Sequence, residues 1–271
     1  MVRSLWSAAT GMIAQQTAVD TIAHNISNVN TTGYKTSQTE FKSLLYQELQ
    51  TKTTTANGDT KPIDSQVGLG VRSASITTVF RQGSFYEADG NNNFAIDGSG
   101  FFGVRGEDGS IYYTRNGNFT ISRGTKGLML TTSDGNPVLD TQGKPISFSS
   151  DLNTSDIVAT ADGEFCVYDE SNNLKSLGIK IGLFQFNNPE GLEKLDSSLY
   201  RQTAASGNAL NEATTNNIVK SSIKQGYLEG SNVQLADEMV NLIVAQRAYE
   251  ANSKAITTSD EMMSQANQLK R

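Results

Sequence analysis

The side chains that most often carry out catalysis or bind zinc are scarce in this sequence. Its 271 residues include one histidine, His24, and one cysteine, Cys166. The common zinc sites need two or more Cys or His ligands, so they cannot be assembled here. Cys166 lies in the apolar run 165–168 and is predicted to be a small buried residue of a strand. His24 lies in a predicted helix, where a packed or interface role is favoured over catalysis.

Two further patterns could indicate ligand chemistry, and both are weak. Residues 98–100 read Gly-Ser-Gly, but strands flank them, whereas a phosphate-binding loop leads into a helix. Five Asp-Gly pairs occur at 89–90, 97–98, 108–109, 134–135 and 162–163 without the Asp-x-Asp-x-Asp-Gly spacing of a calcium loop. We therefore expect no enzyme activity, no metal and no cofactor.

Charge and hydropathy exclude other classes. The chain has 22 Lys and Arg against 28 Asp and Glu, a net charge of −6, so it lacks the basic field that binds nucleic acid or an anionic membrane. Its longest apolar run, 242–245, has four residues, whereas a membrane span needs about 20 and a cleavable signal peptide roughly 7 to 15. Neither kind of segment is expected.

Apolar residues with a seven-residue spacing mark both ends of the chain. In the first 28 residues they are Leu5, Met12, Val19 and Ile26. Towards the other end they are Leu235, Leu242, Tyr249, Ile256 and Met263, with Met239 beside them. Each pattern predicts a long amphipathic helix, the first about 39 Å long. Ser231 and Asn232 are candidate caps of the second helix.

The middle of the chain has the pattern of strands. Short apolar or alternating runs recur at 94–96, 101–104, 111–114, 118–121, 128–130, 157–159, 165–168 and 179–186. The Asp-Gly pairs lie between or beside them, as in tight hairpin turns. The sequence therefore predicts an α+β fold with a central, mainly antiparallel β domain. The predicted domains are a helical one of residues 1–38 and 226–271, a polar connecting segment 39–80, and a β-rich one, 81–225.

The two helices have narrow apolar stripes and many alanines. A lone helix of this kind is marginal in water, so they must pack together or on other chains. We expect a helix pair that neighbouring copies complete, in a coiled-coil-like layer; the alternative is an ordinary helical hairpin on the β domain. The predicted assembly seam is Leu5, Met12, Val19, Ile26, Leu235, Met239, Leu242, Tyr249 and Ile256.

Motifs along almost the whole chain resemble those of bacterial flagellar rod and hook proteins. The N-terminal motifs are SAATGMIAQQ at 7–16 and NISNVNTTGYK at 25–35. The central motifs are QGSF at 82–85, FAIDGSGFFGV at 94–104 and YTRNGNF at 113–119. The C-terminal motifs are GYLEGSNV at 226–233, EMV at 238–240 and QRAYEANSK at 246–254. Length and the opening residues are most similar to the distal rod subunits of this family, with proximal rod and hook subunits as the alternative.

The resemblance implies a structural subunit of a hollow helical tube. The terminal helices would form an inner layer around an export channel, and the β domain would form the outer wall. Implied partners are other copies, hook and proximal rod proteins along the axis, surrounding ring or bushing proteins, and the flagellar type III export apparatus, but no nucleic acid. The implied location is the basal body, reached across the inner membrane without a cleavable signal. A secreted carbohydrate-binding β module is the alternative from another class.

The motif at 25–35 is predicted to end the first helix in a sharp turn. Its candidate residues are Asn25, Asn28, Asn30, Gly33, Tyr34 and Lys35. Glycine and asparagine tolerate the left-handed conformations that such an exit requires. The polar segment 49–66 could fill space between adjacent subunits and stiffen the tube, or be a flexible loop.

Overall fold

A computed structural model describes residues 2–50, 65–124, 127–149, 156–168, 173–215 and 218–269. The chain forms two compact units. Unit 1 comprises Met1–Ser27, Ser37–Thr78 and Gln234–Arg271, and unit 2 comprises Asn28–Thr36 and Val79–Val233. These bounds differ from the three-part division derived from the sequence, which stays a prediction.

Unit 1 contains both long helices. Helix α1 covers Val2–Ser27 and helix α2 covers Leu235–Gln268, close to the two segments that carry the seven-residue spacing. The predicted caps of α2 are wrong. The N-cap is Gln234, which makes no side-chain capping bond, because the Asn232 side chain bonds other segments instead. No helix of the described ranges is long and apolar enough to cross a lipid bilayer.

Unit 1 also contains four strands that the sequence did not predict. They are β1 (Ser37–Ser43), β2 (Tyr46–Gln50), β3 (Ser65–Gly68) and β4 (Val71–Thr78). Strand β1 pairs antiparallel with β4, and β2 pairs antiparallel with β3. Hydrogen bonds join α1 to this region, from Asn25 to Ser37 (2.8 Å) and from Thr39 to Thr21 (2.9 Å). A two-stranded sheet needs such support from a helix.

Unit 2 is built from short strands. They are β5 (Phe85–Glu87), β6 (Phe94–Asp97), β7 (Phe101–Arg105), β8 (Ile111–Thr114), β9 (Phe119–Gly124), β10 (Gly127–Thr132), β11 (Ser147–Phe148), β12 (Ile157–Ala159), β13 (Glu164–Tyr168), β14 (Leu174–Lys180), β15 (Leu183–Gln185), β16 (Glu193–Lys194), β17 (Leu199–Arg201), β18 (Leu210–Asn211), β19 (Ser222–Gln225) and β20 (Tyr227–Glu229). Each pairing between these strands is antiparallel. Helices at both ends and a mostly antiparallel β region confirm the α+β prediction, while the coiled-coil character stays a prediction.

The strands of unit 2 form several small sheets. The largest has six strands in the order β16-β17-β8-β7-β15-β18. Two three-stranded sheets have the orders β11-β10-β9 and β12-β13-β14, and two pairs are β19-β6 and β20-β5. The predicted run 179–186 is split between β14 and β15 at Gly182, which lies against the Asp140 backbone too closely for a Cβ.

Two buried apolar clusters hold unit 2 together. The larger includes Phe94, Phe102 and Phe165, with Phe165 edge-on to Phe94 at 5.9 Å between ring centroids. The smaller is aromatic and is centred on Phe101 and Tyr200. Cys166 is buried in β13, as predicted. All five Asp-Gly pairs place their glycine at positive φ. The pairs at 108–109, 134–135 and 162–163 are confirmed as turns, since each glycine N–H donates to the carbonyl three residues before it.

Candidate assembly surface and buried ion cluster

Helices α1 and α2 pack against each other in antiparallel directions. Three pairs of residues define the contact line: Ser4 with Ser259, Gly11 with Asn252, and Asn25 with Glu238. The members of each helix are separated by seven residues or a multiple of seven. All are small or polar, and a Cβ on Gly11 would lie 2.8 Å from the Asn252 amide nitrogen. At Gly11 the closeness of the two helices therefore depends on the absence of a side chain.

The predicted seam lies beside this contact line. On α1, the seam residues come one position after a contact residue, or after the position seven residues from a contact residue: Leu5, Met12, Val19 and Ile26. On α2, three seam residues come three positions before a contact residue: Leu235, Tyr249 and Ile256. None of the nine predicted seam residues is fully buried: Leu235, Met239 and Tyr249 are exposed, and the other six are partly buried. Val19 and Tyr249 line a groove of about 410 Å³ with Gln16, Gln246 and Glu250.

Helix α2 presents an exposed apolar face. We define this face as Leu235, Met239, Val240, Ile243 and Val244, whose exposed fractions range from 46% to 62%. They follow the three- and four-residue spacing of one side of a helix. On α1, Trp6 is 65% exposed. Large contiguous apolar patches on soluble proteins mark interaction sites.

The predicted motif loop spans two structural settings. Asn25 lies in α1, where its side chain bonds both the N–H and the C=O of Ser37 at 2.9 and 2.8 Å. Asn28 accepts a hydrogen bond from Thr31, and Asn30 is exposed. The other three positions, Gly33, Tyr34 and Lys35, are buried within unit 2.

Gly33 fulfils the predicted turn. Its φ is +69°, and a Cβ there would lie 2.7 Å from the backbone nitrogen of Asn116. Its own N–H donates to the carbonyl of Glu229 at 2.8 Å. The loop therefore needs a residue without a side chain, both for its conformation and for the closeness of a neighbouring backbone.

Lys35 belongs to a buried ion cluster, which we define as Lys35, Arg115 and Glu229. The Lys35 Nζ lies 2.6 Å from Glu229 Oε1, and Arg115 Nη1 lies 3.3 Å from Glu229 Oε2. Their side chains are at most 2% exposed. Burial lowers the pKa of Lys35 and of Arg115, while the charge of Glu229 opposes both shifts. One carboxylate thus compensates two buried cations.

Backbone groups complete the ion cluster. Lys35 Nζ also donates to the carbonyl of Arg81 at 2.9 Å, and the N–H of Gly83 donates to Glu229 Oε1 at 2.9 Å. Arg115 Nη2 donates to the carbonyl of Gly98 at 2.7 Å, and its guanidinium lies 5.1 Å from the centroid of the Phe101 ring. Hydrogen bonds of this kind are what make a buried ion pair tolerable.

Asn232 makes a second set of bonds in the same part of unit 2. Its Oδ1 accepts from the N–H and hydroxyl of Thr36 at 2.8 and 2.6 Å. Its Nδ2 donates to the carbonyls of Val79 and Arg81 at 2.9 and 3.0 Å. Asn232 and the ion cluster therefore join three segments, 33–36, 79–83 and 229–232, from which the chain leads on to β1, β4 and α2.

Sequence reasoning missed this arrangement. It named Lys35 only as part of a loop, took Asn232 for a helix cap, and did not single out Arg115 or Glu229. A signal was present, because all four residues lie inside motifs of the family resemblance. Spacing along the chain does not indicate that motifs up to 197 residues apart meet at one point.

Three family models match the chain. Residues 5–35 match "Flagella basal body rod protein", 95–167 match "Flagellar hook protein FlgE/F/G D1 domain", and 224–269 match "Flagellar basal body rod FlgEFG protein C-terminal". These regions contain α1 with the motif loop, the strands around the larger core, and α2. The matches define the class of flagellar rod and hook proteins.

Relatives that match over their full length indicate which proteins of this class the chain is most similar to. The chain is 42% identical to "Flagellar basal-body rod protein FlgG" of Borreliella burgdorferi, with 100% of each chain covered. It is 38% identical to the protein of that name in Buchnera aphidicola, over 99% of this chain and 100% of that one, and 37% identical to the one in Bacillus subtilis, over 100% of both. The chain belongs to the flagellar basal-body rod protein family, a family of structural proteins, which confirms the resemblance.

Proposed function

We propose that this protein is the distal rod subunit of the flagellar basal body and polymerises into a hollow helical shaft that transmits torque from the motor to the hook. The observation that carries the proposal is the exposed apolar face of α2. The helix pair places small or polar residues at its own contact line and leaves the five large apolar residues of this face 46–62% exposed. In the alternative, an ordinary hairpin, the large residues would be inside.

Energetics support polymerisation. Fully burying one exposed Val, Leu, Ile or Met side chain contributes about 1.5–3 kcal/mol, so covering the half-exposed face of α2 favours a contact between copies and offsets part of the entropy lost on association. In the proposed shaft, this face packs on a different surface of the next copy. Such a heterologous contact generates a helical filament when its rotation does not close into a ring.

Several finer features belong to the same proposal. The helices α1 and α2, with the nine seam residues, would form a coiled-coil-like inner layer around the export channel, and unit 2 would form the outer wall. The axial neighbours would be hook and proximal rod subunits, with ring or bushing proteins around the shaft and the type III apparatus exporting the chain without a cleavable signal. The space-filling role proposed for 49–66 concerns a segment of which 51–64 lie outside the described residues.

The test places charge on the apolar face. We expect the Ile243→Asp/Val244→Asp variant to remain monomeric at concentrations where the unchanged chain sediments as tubes visible by electron microscopy. The matched control, Thr257→Asp/Thr258→Asp, adds the same charge at exposed polar positions of α2 and should still polymerise. Tubes formed by the first variant at the normal threshold concentration would contradict the proposal.

A further inference from the structure

We propose that a basic groove on the β1–β4 side of unit 1 receives the first turns of α2 from a second copy of this chain. We define the basic groove as Lys42, Ser43, Leu44, Leu45, Tyr46 and Arg72; it encloses about 510 Å³. Leu45 is 83% exposed and Tyr46 is 62% exposed, so the groove combines two cations with uncovered apolar surface. The proposal rests on the proposed function and names the contact by which copies would join.

The two cations of the groove lie in an unfavourable arrangement. Lys42 on β1 is directly opposite Arg72 on β4 in the antiparallel register. Like charges at directly opposed positions of a strand pair are destabilising. Neither residue forms an ion pair with any other residue of the described ranges. An anionic partner would relieve the repulsion.

The start of α2 has the complementary chemistry. Asp237 is exposed in its first turn and lies on the same side of the helix as the exposed Val240 and Val244, three and seven residues further on. Glu238 is directed elsewhere, since it is buried and accepts a hydrogen bond from Asn25. One carboxylate beside the exposed Val240 and Val244 therefore matches two cations beside Leu45 and Tyr46.

The first turn of α2 does not reach the groove of its own molecule. Val71, next to Arg72, donates its N–H to the hydroxyl of Thr10, whereas Glu238, next to Asp237, bonds Asn25. Thr10 and Asn25 are 15 residues apart on α1, which corresponds to about 22 Å along the helix axis. The groove and the acidic turn thus lie at different levels of unit 1. Head-to-tail stacking of copies would bring one against the other.

Charge reversal tests the groove. We expect Lys42→Glu/Arg72→Glu to raise the critical concentration for polymerisation about tenfold or more, since two attractive contacts become repulsive. Adding Asp237→Lys to that variant should recover part of the loss. The matched control, Arg123→Glu/Lys175→Glu, makes the same change of net charge at exposed positions of unit 2 and should leave the critical concentration unchanged.

Cross-linking tests the partner. Two separate variants, Leu45→Cys and Val240→Cys, each also carrying Cys166→Ser, are mixed, polymerised and oxidised. We expect a disulfide-linked dimer containing one chain of each kind. The control pair, Leu45→Cys with Gln265→Cys, should give none.

The outcomes separate this inference from the proposed function. Normal polymerisation of Lys42→Glu/Arg72→Glu, or tubes that give no Leu45–Val240 cross-link, would overturn the groove contact and leave the rod proposal standing. Failure of the unchanged chain to form tubes would overturn both. A Leu45–Val240 cross-link that forms equally well in dilute, unpolymerised mixtures would also overturn the groove contact.

Discussion

Units 1 and 2 differ in what they bury. In the described part of unit 1, the only fully buried apolar residues are three alanines, Ala8, Ala14 and Ala245. Unit 2 buries more than twenty apolar residues, among them eight phenylalanines in two clusters. Because apolar burial is the main favourable term in folding, unit 2 has the core of an independent domain, whereas unit 1 has helices without one. The lesson is that a long, regular helix pair does not by itself indicate a finished hydrophobic core.

Buried charge follows the same contrast. Unit 2 buries three charged side chains in one ion cluster, and unit 1 buries Glu238 against Asn25. The comparison can therefore be tested by changing buried charge and buried backbone contacts in unit 2 and buried charge in unit 1.

The largest expected effect comes from Glu229→Gln. Removing the carboxylate leaves Lys35 and Arg115 buried without a counter-ion, so unit 2 should lose about 3–5 kcal/mol of stability. Urea unfolding combined with hydrogen exchange of β6 and β7 measures the loss. The matched control is Glu193→Gln, whose partner Arg201 is about half exposed; it should cost less than about 1 kcal/mol. Equal losses in both variants would show that unit 2 depends on its apolar clusters alone.

A smaller loss is expected for Gly33→Ala. The new Cβ would meet the Asn116 backbone at a φ of +69°, and we expect a cost of about 1–3 kcal/mol. Gly143→Ala serves as the control, because its φ is +74° but nothing lies within 4 Å, so only the conformational strain of about 1 kcal/mol remains. Thermal unfolding measures the loss of stability in each variant. A smaller loss in Gly33→Ala than in Gly143→Ala would contradict the close contact between Gly33 and the Asn116 backbone.

The smallest effect concerns Glu238 in unit 1. Burial raises the pKa of this carboxyl group, so the folded state binds a proton more readily than the unfolded chain does. The charged form weakens unit 1 at neutral pH, and stability should rise as the pH falls through the raised pKa towards the ordinary value. Glu238→Gln should remove this gain and slightly stabilise the helix pair at pH 7.

Helical circular dichroism during urea unfolding at pH 7 and pH 5 detects the change. The control, Asp237→Asn, removes the same charge from the exposed neighbouring position and should slightly destabilise α2, since negative charge favours a helix N-terminus. Identical pH dependence in Glu238→Gln and the unchanged chain would contradict the role of burial.

The spacing of apolar residues predicted those helices and strands whose pattern is visible within a short stretch of sequence. The seven-residue spacing located α1 and α2, and alternating runs located β8 and β12 at residues 111–114 and 157–159. Strands β1 and β4 were not predicted, because they are rich in polar residues such as Lys42, Arg72 and Ser75 and contain no apolar run. Their pairing depends on contacts with each other and with α1, which no short window contains.

The ion cluster could not be predicted for a related reason. Lys35, Arg115 and Glu229 are charged, and charged residues are expected at the surface unless a partner is known. Each partner lies at least 80 residues from the next along the chain. Only the folded arrangement of the family motifs reveals that the three charges compensate one another.

The position of Trp6 has a practical consequence. The sequence contains a single tryptophan, and it is exposed on α1 of unit 1, far along the chain from the aromatic clusters of unit 2. Excitation at long ultraviolet wavelengths therefore reads one indole, whose emission maximum shifts to the blue when water is removed from it. The chain therefore carries its own optical probe of whether α1 has been covered by another copy.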